Sequence, residues 1–181
     1  MTHSTRMGED IAAVRGRDPA ARNNLEVFLT SPGVHALWWH RVASWFWRWE
    51  WFLIARIISN VARTLTGIEI HPGATLGRRL VIDHGMGVVI GETATVGDDC
   101  LIYHGVTLGG KIAQAREDCQ GRRHPAVGNG VTIGSGATLL GAITVGDGAT
   151  IGAKAVVLVD VPAGSLAVGI PAKIKKPSKR P

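Results

Sequence analysis

The chain has 181 residues, 45% of them apolar and 19% charged, and a formal net charge of +6. That length bounds it to one globular domain, or one domain with a helical cap, and the composition excludes disordered, collagen-like and disulfide-scaffold proteins. The stretch from Trp38 to Ala62 is broken by Arg41, Arg48, Glu50 and Arg56, which excludes a membrane span of about 20 largely apolar residues.

From the N-terminus, residues up to about Gly8 read as a disordered, polar start without the apolar core of a signal peptide. Glu9 to Arg17 reads as a short helix. Asp18-Pro19 reads as a fresh N-cap followed by proline at the first helical position. Ser31-Pro32-Gly33 reads as a turn. Beyond it Val34, Leu37, Trp38, Val42, Trp45, Phe46 and Trp49 keep helical spacing, which predicts an amphipathic helix with an aromatic face. Phe52 to Leu65 continues as helix after a kink. All six tryptophans lie between Trp38 and Trp51 and are expected to serve core and subunit packing. Residues 1–66 thus form an N-terminal α-helical region.

The chain then changes character. Only Gly8, Gly16 and Gly33 precede Gly67, which leaves the other 21 of 24 glycines to the remainder. A branched aliphatic residue recurs every six positions at Ile70, Leu76 and Ile82. After a two-residue slip it resumes at Ile90, Val96, Ile102 and Leu108, and later at Val127, Ile133, Leu139, Val145, Ile151 and Val157. Helices need spacings of three and four, and ordinary strands need alternation. Strict hexads predict short flat strands joined by tight corners, three to a coil: a mainly β, parallel β-helix over 67–172. Its three faces, labelled A, B and C from Ile70 onward, repeat down the stack. Such a prism has few concave surfaces of its own, so its sites are expected in grooves between subunits.

One segment breaks the beat. Val127 follows Leu108 by 19 residues instead of six, and the polar loop 109–125 carries Lys111, Arg116, Glu117, Asp118, Arg122 and Arg123. Long loops on rigid scaffolds commonly carry function. Residues 173–181 form a basic tail, read as solvated, with contact to a phosphorylated cofactor as the alternative. No aromatic-plus-basic pattern suggests nucleic acid. Cys100 and Cys119 have neither zinc-motif nor disulfide-framework spacing and read as reduced thiols in the cytoplasm.

The beat also predicts a site. Two places after the face C aliphatics stand His84, His104, Ser135 and Ala153, expected as one column with imidazoles at one end and a smooth shelf at the other. Glu69, 15 residues before His84, should approach the same corner. A carboxylate beside an imidazole fixes its tautomer and makes it a better base. By itself such a pair serves a structural hydrogen bond as well as it serves catalysis.

Several motifs occur in order: Ile68-Glu69-Ile70-His71-Pro72-Gly73, Ile82-Asp83-His84-Gly85, Gly91-Glu92-Thr93-Ala94, Gly105-Val106-Thr107-Leu108-Gly109-Gly110, Arg123-His124-Pro125 and Val168-Gly169-Ile170-Pro171-Ala172. With them, from about Asp10 to Ile174, the chain resembles the serine O-acetyltransferases of the hexapeptide-repeat acyltransferase superfamily. The resemblance implies a left-handed coil, although parallel crossovers are generally right-handed. It implies transfer of acetyl from acetyl-CoA, as co-substrate with no resident cofactor or metal, to L-serine in cysteine biosynthesis. It gives His84 as general base with Glu69 behind it, where the family often has Asp. It also gives Asp18, Asp83, Arg123 and His124 as serine-binding residues, and Gly110, Ser135 and Ala153 as lining the CoA arm. It implies a homo-oligomer, either a trimer or a dimer of trimers. Members that bind O-acetylserine sulfhydrylase end in Ile and this chain ends in Pro181, so that complex is not expected.

Three other readings compete. The first is a same-fold acetyltransferase for a sugar or antibiotic hydroxyl. The second is a zinc hydratase using His84, His104 and His124, for which three histidines and an open water position would be needed. The third is a non-catalytic scaffold. A zwitterionic substrate needs both signs of charge in its pocket and a sugar does not, so Asp18, Asp83 and Arg123 favour the amino acid.

Overall fold

The computed structural model describes residues 5–111 and 121–175. Most of the polar loop, the end of the basic tail and Cys119 therefore lie outside the described residues. Four helices lead into the coil: α1 (Arg6–Arg17), α2 (Asn24–Thr30), α3 (Pro32–Arg48) and α4 (Phe52–Thr66).

Helix boundaries follow capping chemistry. Thr5 caps α1 by accepting from the Gly8 N–H, and Asn23 caps α2 by accepting from Glu26 N–H. Asp18 is not an N-cap. It ends α1, and its carboxylate accepts from the Ala20 N–H at 2.8 Å, a local turn that competes with helix initiation. Ser31-Pro32-Gly33 is likewise not a free turn: Ser31 caps α3, and Pro32 stands at its first position.

The aromatic face of α3 points outward. Its buried side is made of Gly33, Val34, Ala36, Leu37, His40 and Ala43, while Trp45 and Trp49 are exposed. Similarly, α4 buries Ala55, Ser59, Ala62 and Thr66, and leaves Leu53, Ile57, Val61 and Leu65 in one exposed line at four-residue spacing. Small residues allow close helix approach, and the large ones are left for another surface. At Gly33 the approach is extreme, because an added methyl group would overlap the Ile82 carbonyl oxygen. Ion pairs fix the helical layer. Asp10, 1% exposed, takes two hydrogen bonds from Arg41 at 2.6 and 2.9 Å and one from the Trp38 indole at 3.1 Å. Glu9 pairs with Arg78 of the coil.

The coil is a three-faced parallel β-solenoid. Face A stacks β1 (Glu69–Ile70), β4 (Val89–Ile90), β7 (Thr107–Gly109), β10 (Thr138–Leu140) and β13 (Val156–Val157). Face B stacks β2 (Thr75–Leu76), β5 (Thr95–Val96), β8 (Ala126–Val127) and β11 (Thr144–Val145). Face C stacks β3 (Val81–Asp83), β6 (Leu101–Tyr103), β9 (Thr132–Ile133), β12 (Thr150–Ile151) and β14 (Leu166–Val168). The register pairs each hexad aliphatic with its counterpart, as in Ile82 with Ile102 and Ile102 with Ile133. The core is this set of internal ladders, nearly all fully buried. Gly169, at φ 99°, then reverses the chain, and Lys173–Lys175 return as antiparallel β15 on β14. Those three residues, read from sequence as the start of the tail, extend face C instead. Cys100 is a buried free thiol whose pKa is raised by burial.

His40, packed between α3 and the first coil, has its pKa pushed down to about 4, chiefly by burial. The unfolded chain therefore binds this proton at higher pH than the folded one. Stability should be full above about pH 6.5 and fall as the pH drops towards 4, by at most on the order of 3 kcal/mol. Urea unfolding across that window measures the slope, and His40→Phe should flatten it. An equal slope in the variant would assign the dependence elsewhere.

Candidate active site

The candidate residues lie on two edges of the prism, and those two edges bound face A. On the edge between faces C and A, Asp83 ends β3 and the chain leaves the hexad. His84 and Gly85 adopt left-handed backbone with φ 58° and 73°. The ladder resumes beyond them: the Gly105 N–H donates to Met86 O, Gly136 N–H to His104 O and Lys154 N–H to Ser135 O, at 2.9, 2.8 and 2.8 Å. Met86, not His84, thus heads the backbone column above His104, Ser135 and Ala153. A ladder cannot hold extra residues, so the two are expelled at the corner and His84 is thrown outward. Its side chain is 73% exposed, and its ring stands edge-on to His104 with centroids 5.8 Å apart.

Two carboxylates flank this imidazole. Asp83 Oδ2 lies 3.8 Å from His84 Nε2. Asp18, from the α1–α2 connection, shares with Asp83 and His84 a cleft of about 230 Å³, whose floor includes Val81 and Ile82. Val14 of α1 and Val27 of α2 pack with Val34 and with Val81 of β3, which holds that connection over the strand. Sequence reading did not single out Arg17, Ser31 and Tyr103, which line the same cleft. Only the fold brings the α1–α2 connection there, and nothing in their spacing announces it. Glu69 reaches the corner, since its N–H donates to Val88 O at 2.9 Å. Its carboxylate, however, takes the Arg63 guanidinium at 3.0 Å, and no hydrogen bond joins it to His84 among the described residues.

The edge between faces A and B carries the opposite charge. Arg123 pairs with Glu92. Thr93 acts as a clamp: its Oγ1 accepts the Arg123 and His124 N–H groups at 2.9 and 3.1 Å. The Thr93 N–H and hydroxyl both donate to His124 Nδ1, at 3.2 and 2.9 Å. A backbone N–H can only donate, so Nδ1 is the acceptor and the ring hydrogen sits on Nε2. Burial first, then Arg123, lowers the His124 pKa against the opposing pull of Glu92, so the ring is held neutral. Gly91 leaves the space that the ring fills, and Gly110 lies beside Nε2. Gly110 is therefore on a different edge from Ser135 and Ala153. His71 stands further along, its ring against Trp47 and its pKa lowered by burial. Among the described residues no three His, Cys, Asp or Glu side chains form a metal-binding cluster.

A hexad solenoid with an exposed histidine at one edge and a cationic set at another defines a hexapeptide-repeat transferase. Residues 124–158 match the family model described as bacterial transferase hexapeptide (six repeats). The chain is 52% identical over 170 residues to a serine acetyltransferase of Mycobacterium tuberculosis, covering 94% of this chain and 72% of that one. It is 58% identical over 156 residues to a serine acetyltransferase of Helicobacter pylori, covering 86% and 88%. Among solved structures, Neisseria gonorrhoeae serine acetyltransferase in complex with serine superposes with a TM-score of 0.87 at 39% identity, covering 94% of this chain and 67% of that one. The chain belongs to the serine acetyltransferase family.

Thr93→Val keeps the side chain's shape and removes the clamp. The Arg123 and His124 amides would then lack their acceptor, a loss of about 1–3 kcal/mol. Amide hydrogen exchange should show both protected in the parent protein and fast in the variant. Unchanged exchange would show that the clamp does not hold this edge.

Proposed function

We propose that this protein transfers the acetyl group of acetyl-CoA to the hydroxyl of L-serine, giving O-acetyl-L-serine and CoA, a committed step of cysteine biosynthesis. One observation carries the reading beyond family membership: the acidic, histidine-bearing edge and the cationic edge flank the same face. Three prisms turned with face A towards a common axis bring the first edge of each protomer against the second edge of its neighbour. Each groove then holds Asp18, Asp83 and His84 from one copy and Arg123 and His124 from the next. That is a charge pattern for a zwitterion: carboxylates for the ammonium, a guanidinium and an imidazole Nε2–H for the carboxylate.

In that groove His84 takes the hydroxyl proton as the serine oxygen attacks the thioester carbonyl. The tetrahedral intermediate collapses with release of the CoA thiolate, which regains the proton from the imidazolium. No enzyme acyl group forms. Glu69 favours the imidazolium by turning from Arg63 towards His84. The cost is small, because the surface pair it leaves is worth about 0–1 kcal/mol. General-base help is typically worth about 10²–10⁴ in rate. Acetyl-CoA, a co-substrate and not a resident cofactor, runs along Ser135 and Ala153 with Gly110 of the neighbouring copy opposite.

The helical layer supports self-assembly. Six large side chains of α4, from Phe52 to Leu65, are 41–73% exposed, and contiguous apolar surface of that extent marks an interaction face. We place the protein in the cytoplasm; among the described residues no helix is long and apolar enough to cross a membrane.

Release of CoA from acetyl-CoA decides the substrate when L-serine is set against homoserine, threonine and simple sugars. L-Serine should be preferred, and preference for a sugar would favour the alternative acetyltransferase. His84→Ala should keep the fold and lose about 10² or more in kcat; near-normal turnover would remove His84 from the role of base. Subunit mixing tests the shared groove. His84→Ala and Arg123→Ala proteins, each impaired alone, should recover up to about a quarter of parental activity when unfolded and refolded together, since random trimers rebuild that share of grooves. No recovery would place both halves of the site in one chain.

A further inference from the structure

The corner between faces C and A has one backbone position per coil that demands left-handed geometry. Gly87, Gly105 and Gly136 fill it in the first three coils at φ 75°, 69° and 65°, and Lys154 fills it in the fourth at φ 58°. Glycine adopts this conformation freely, whereas a residue with a Cβ is strained there by roughly 1–2 kcal/mol. Within the coil the other residues that accept such backbone have evident occupations. Arg79 and Asp99 form an ion pair with two contacts of 2.6 Å, and His84 stands in the cleft with Asp83. Lys154 has no ion-pair partner among the described residues.

Its side chain does not point away from the edge. A methyl group built on Gly136 would meet Lys154 Nζ at 2.8 Å and Cε at 3.0 Å. The stem therefore folds back over Gly136, beside Ser135, and presents the ammonium on the shelf below His104. Covering that glycine is not a structural need: a methyl group built on Gly105, one coil earlier, would meet only Gly136 backbone atoms, at 3.4 and 3.5 Å. Strands stack at about 4.8 Å, so three coils separate His84 from Lys154 by roughly 14 Å along the edge. That is the reach of an extended pantetheine arm.

We propose that Lys154 is a positioning residue for the acyl donor, its ammonium binding a phosphate of CoA while the thioester lies at His84. The inference rests on the function proposed above. The strain at this corner is then held for charge placement, since glycine would serve the backbone better.

The test compares the parent protein with Lys154→Gly and Lys154→Arg. Calorimetric titration with CoA should show about tenfold weaker binding for Lys154→Gly, with thermal stability equal to the parent or higher. The KM for acetyl-CoA should rise by a similar factor while kcat and the KM for serine hold. With acetyl-pantetheine, which lacks the nucleotide phosphates, the two proteins should not differ. Lys154→Arg should restore most of the CoA affinity, and the difference between Gly and Lys should shrink at high salt. Equal CoA affinity in Lys154→Gly overturns the proposal, as does an equal loss with acetyl-pantetheine, which would make Lys154 a packing residue. A parent protein that binds CoA through Lys154 yet acetylates no serine would refute the proposed reaction and leave this inference standing.

Discussion

The hexad ladder is the constraint on which the rest depends. Each strand is two or three residues long and, except at the ends of each stack, is held on both sides by neighbouring strands, so side-chain register repeats from coil to coil. Shifting one residue would turn every aliphatic of a strand outward. Extra residues can therefore be accommodated only at corners. The chain inserts residues in two places, two at His84-Gly85 and a long run after Gly110, and each insertion falls on an edge of face A. The two departures from the repeat are the two halves of the candidate site. A fold that tolerates no irregularity within its faces gathers its chemistry at the corners where irregularity is expelled.

This is also why so much was legible in the sequence. The three faces, their members and the buried ladders follow from counting sixes, because backbone hydrogen bonding converts that period directly into stacking. The slip between Ile82 and Ile90 was visible too, but its consequence was not. Counting alone put His84 at the head of the column, whereas the ladder gives that place to Met86 and turns the imidazole outward. The helical region was less legible. Spacing identifies α3 and α4 and leaves the tryptophans to core and subunit packing alike, whereas in the structure Gly33, Ala36, Ala43, Ala55 and Ala62 face the protein and Trp45 and Trp49 stay exposed. A helical wheel reports that one face is apolar; it does not report whether the partner is the same chain. Asp18 stands out only through the family resemblance; Asp18-Pro19 has the look of an N-cap, but the carboxylate bonds the N–H two residues ahead and makes a turn at the end of α1 instead.

Electrostatics separates the two edges. His84 is exposed beside Asp83, in a cleft that Asp18 also lines. His124 is buried beside a guanidinium, held neutral, and locked into one tautomer by Thr93. Equivalent side chains thus stand in different surroundings: the His84 ring is open to solvent, whereas the His124 ring is fixed with its N–H on Nε2. Glu92 and Arg123 form a surface pair whose strength in water is modest. In the proposed reaction a substrate carboxylate would compete for that guanidinium without a large penalty. The same applies to Glu69 and Arg63 on the other edge. Each edge thus holds a weak surface ion pair, and in the proposed assembly bound ligand would replace these with stronger, less solvated contacts.

On the function proposed above, assembly and catalysis are one problem for this chain. The two halves of the candidate site stand on separate edges of the prism, so the proposed groove needs a second copy. The internal ladders between the two edges are buried along their length. The exposed line of Leu53, Ile57, Val61 and Leu65 sits on the helix that feeds directly into β1, the first strand of face A, and is tied to it by the hydrogen bond from Ser59 Oγ to Ile70 O at 2.7 Å. Apolar surface on α4 thus lies at the end of face A, the face that the proposed assembly turns towards its neighbours. Burying it would supply a favourable term that does not draw on the polar edges at all. In the proposed assembly the weak, exchangeable ion pairs at the substrate groove would then be free to open, because the hold between protomers would come from elsewhere.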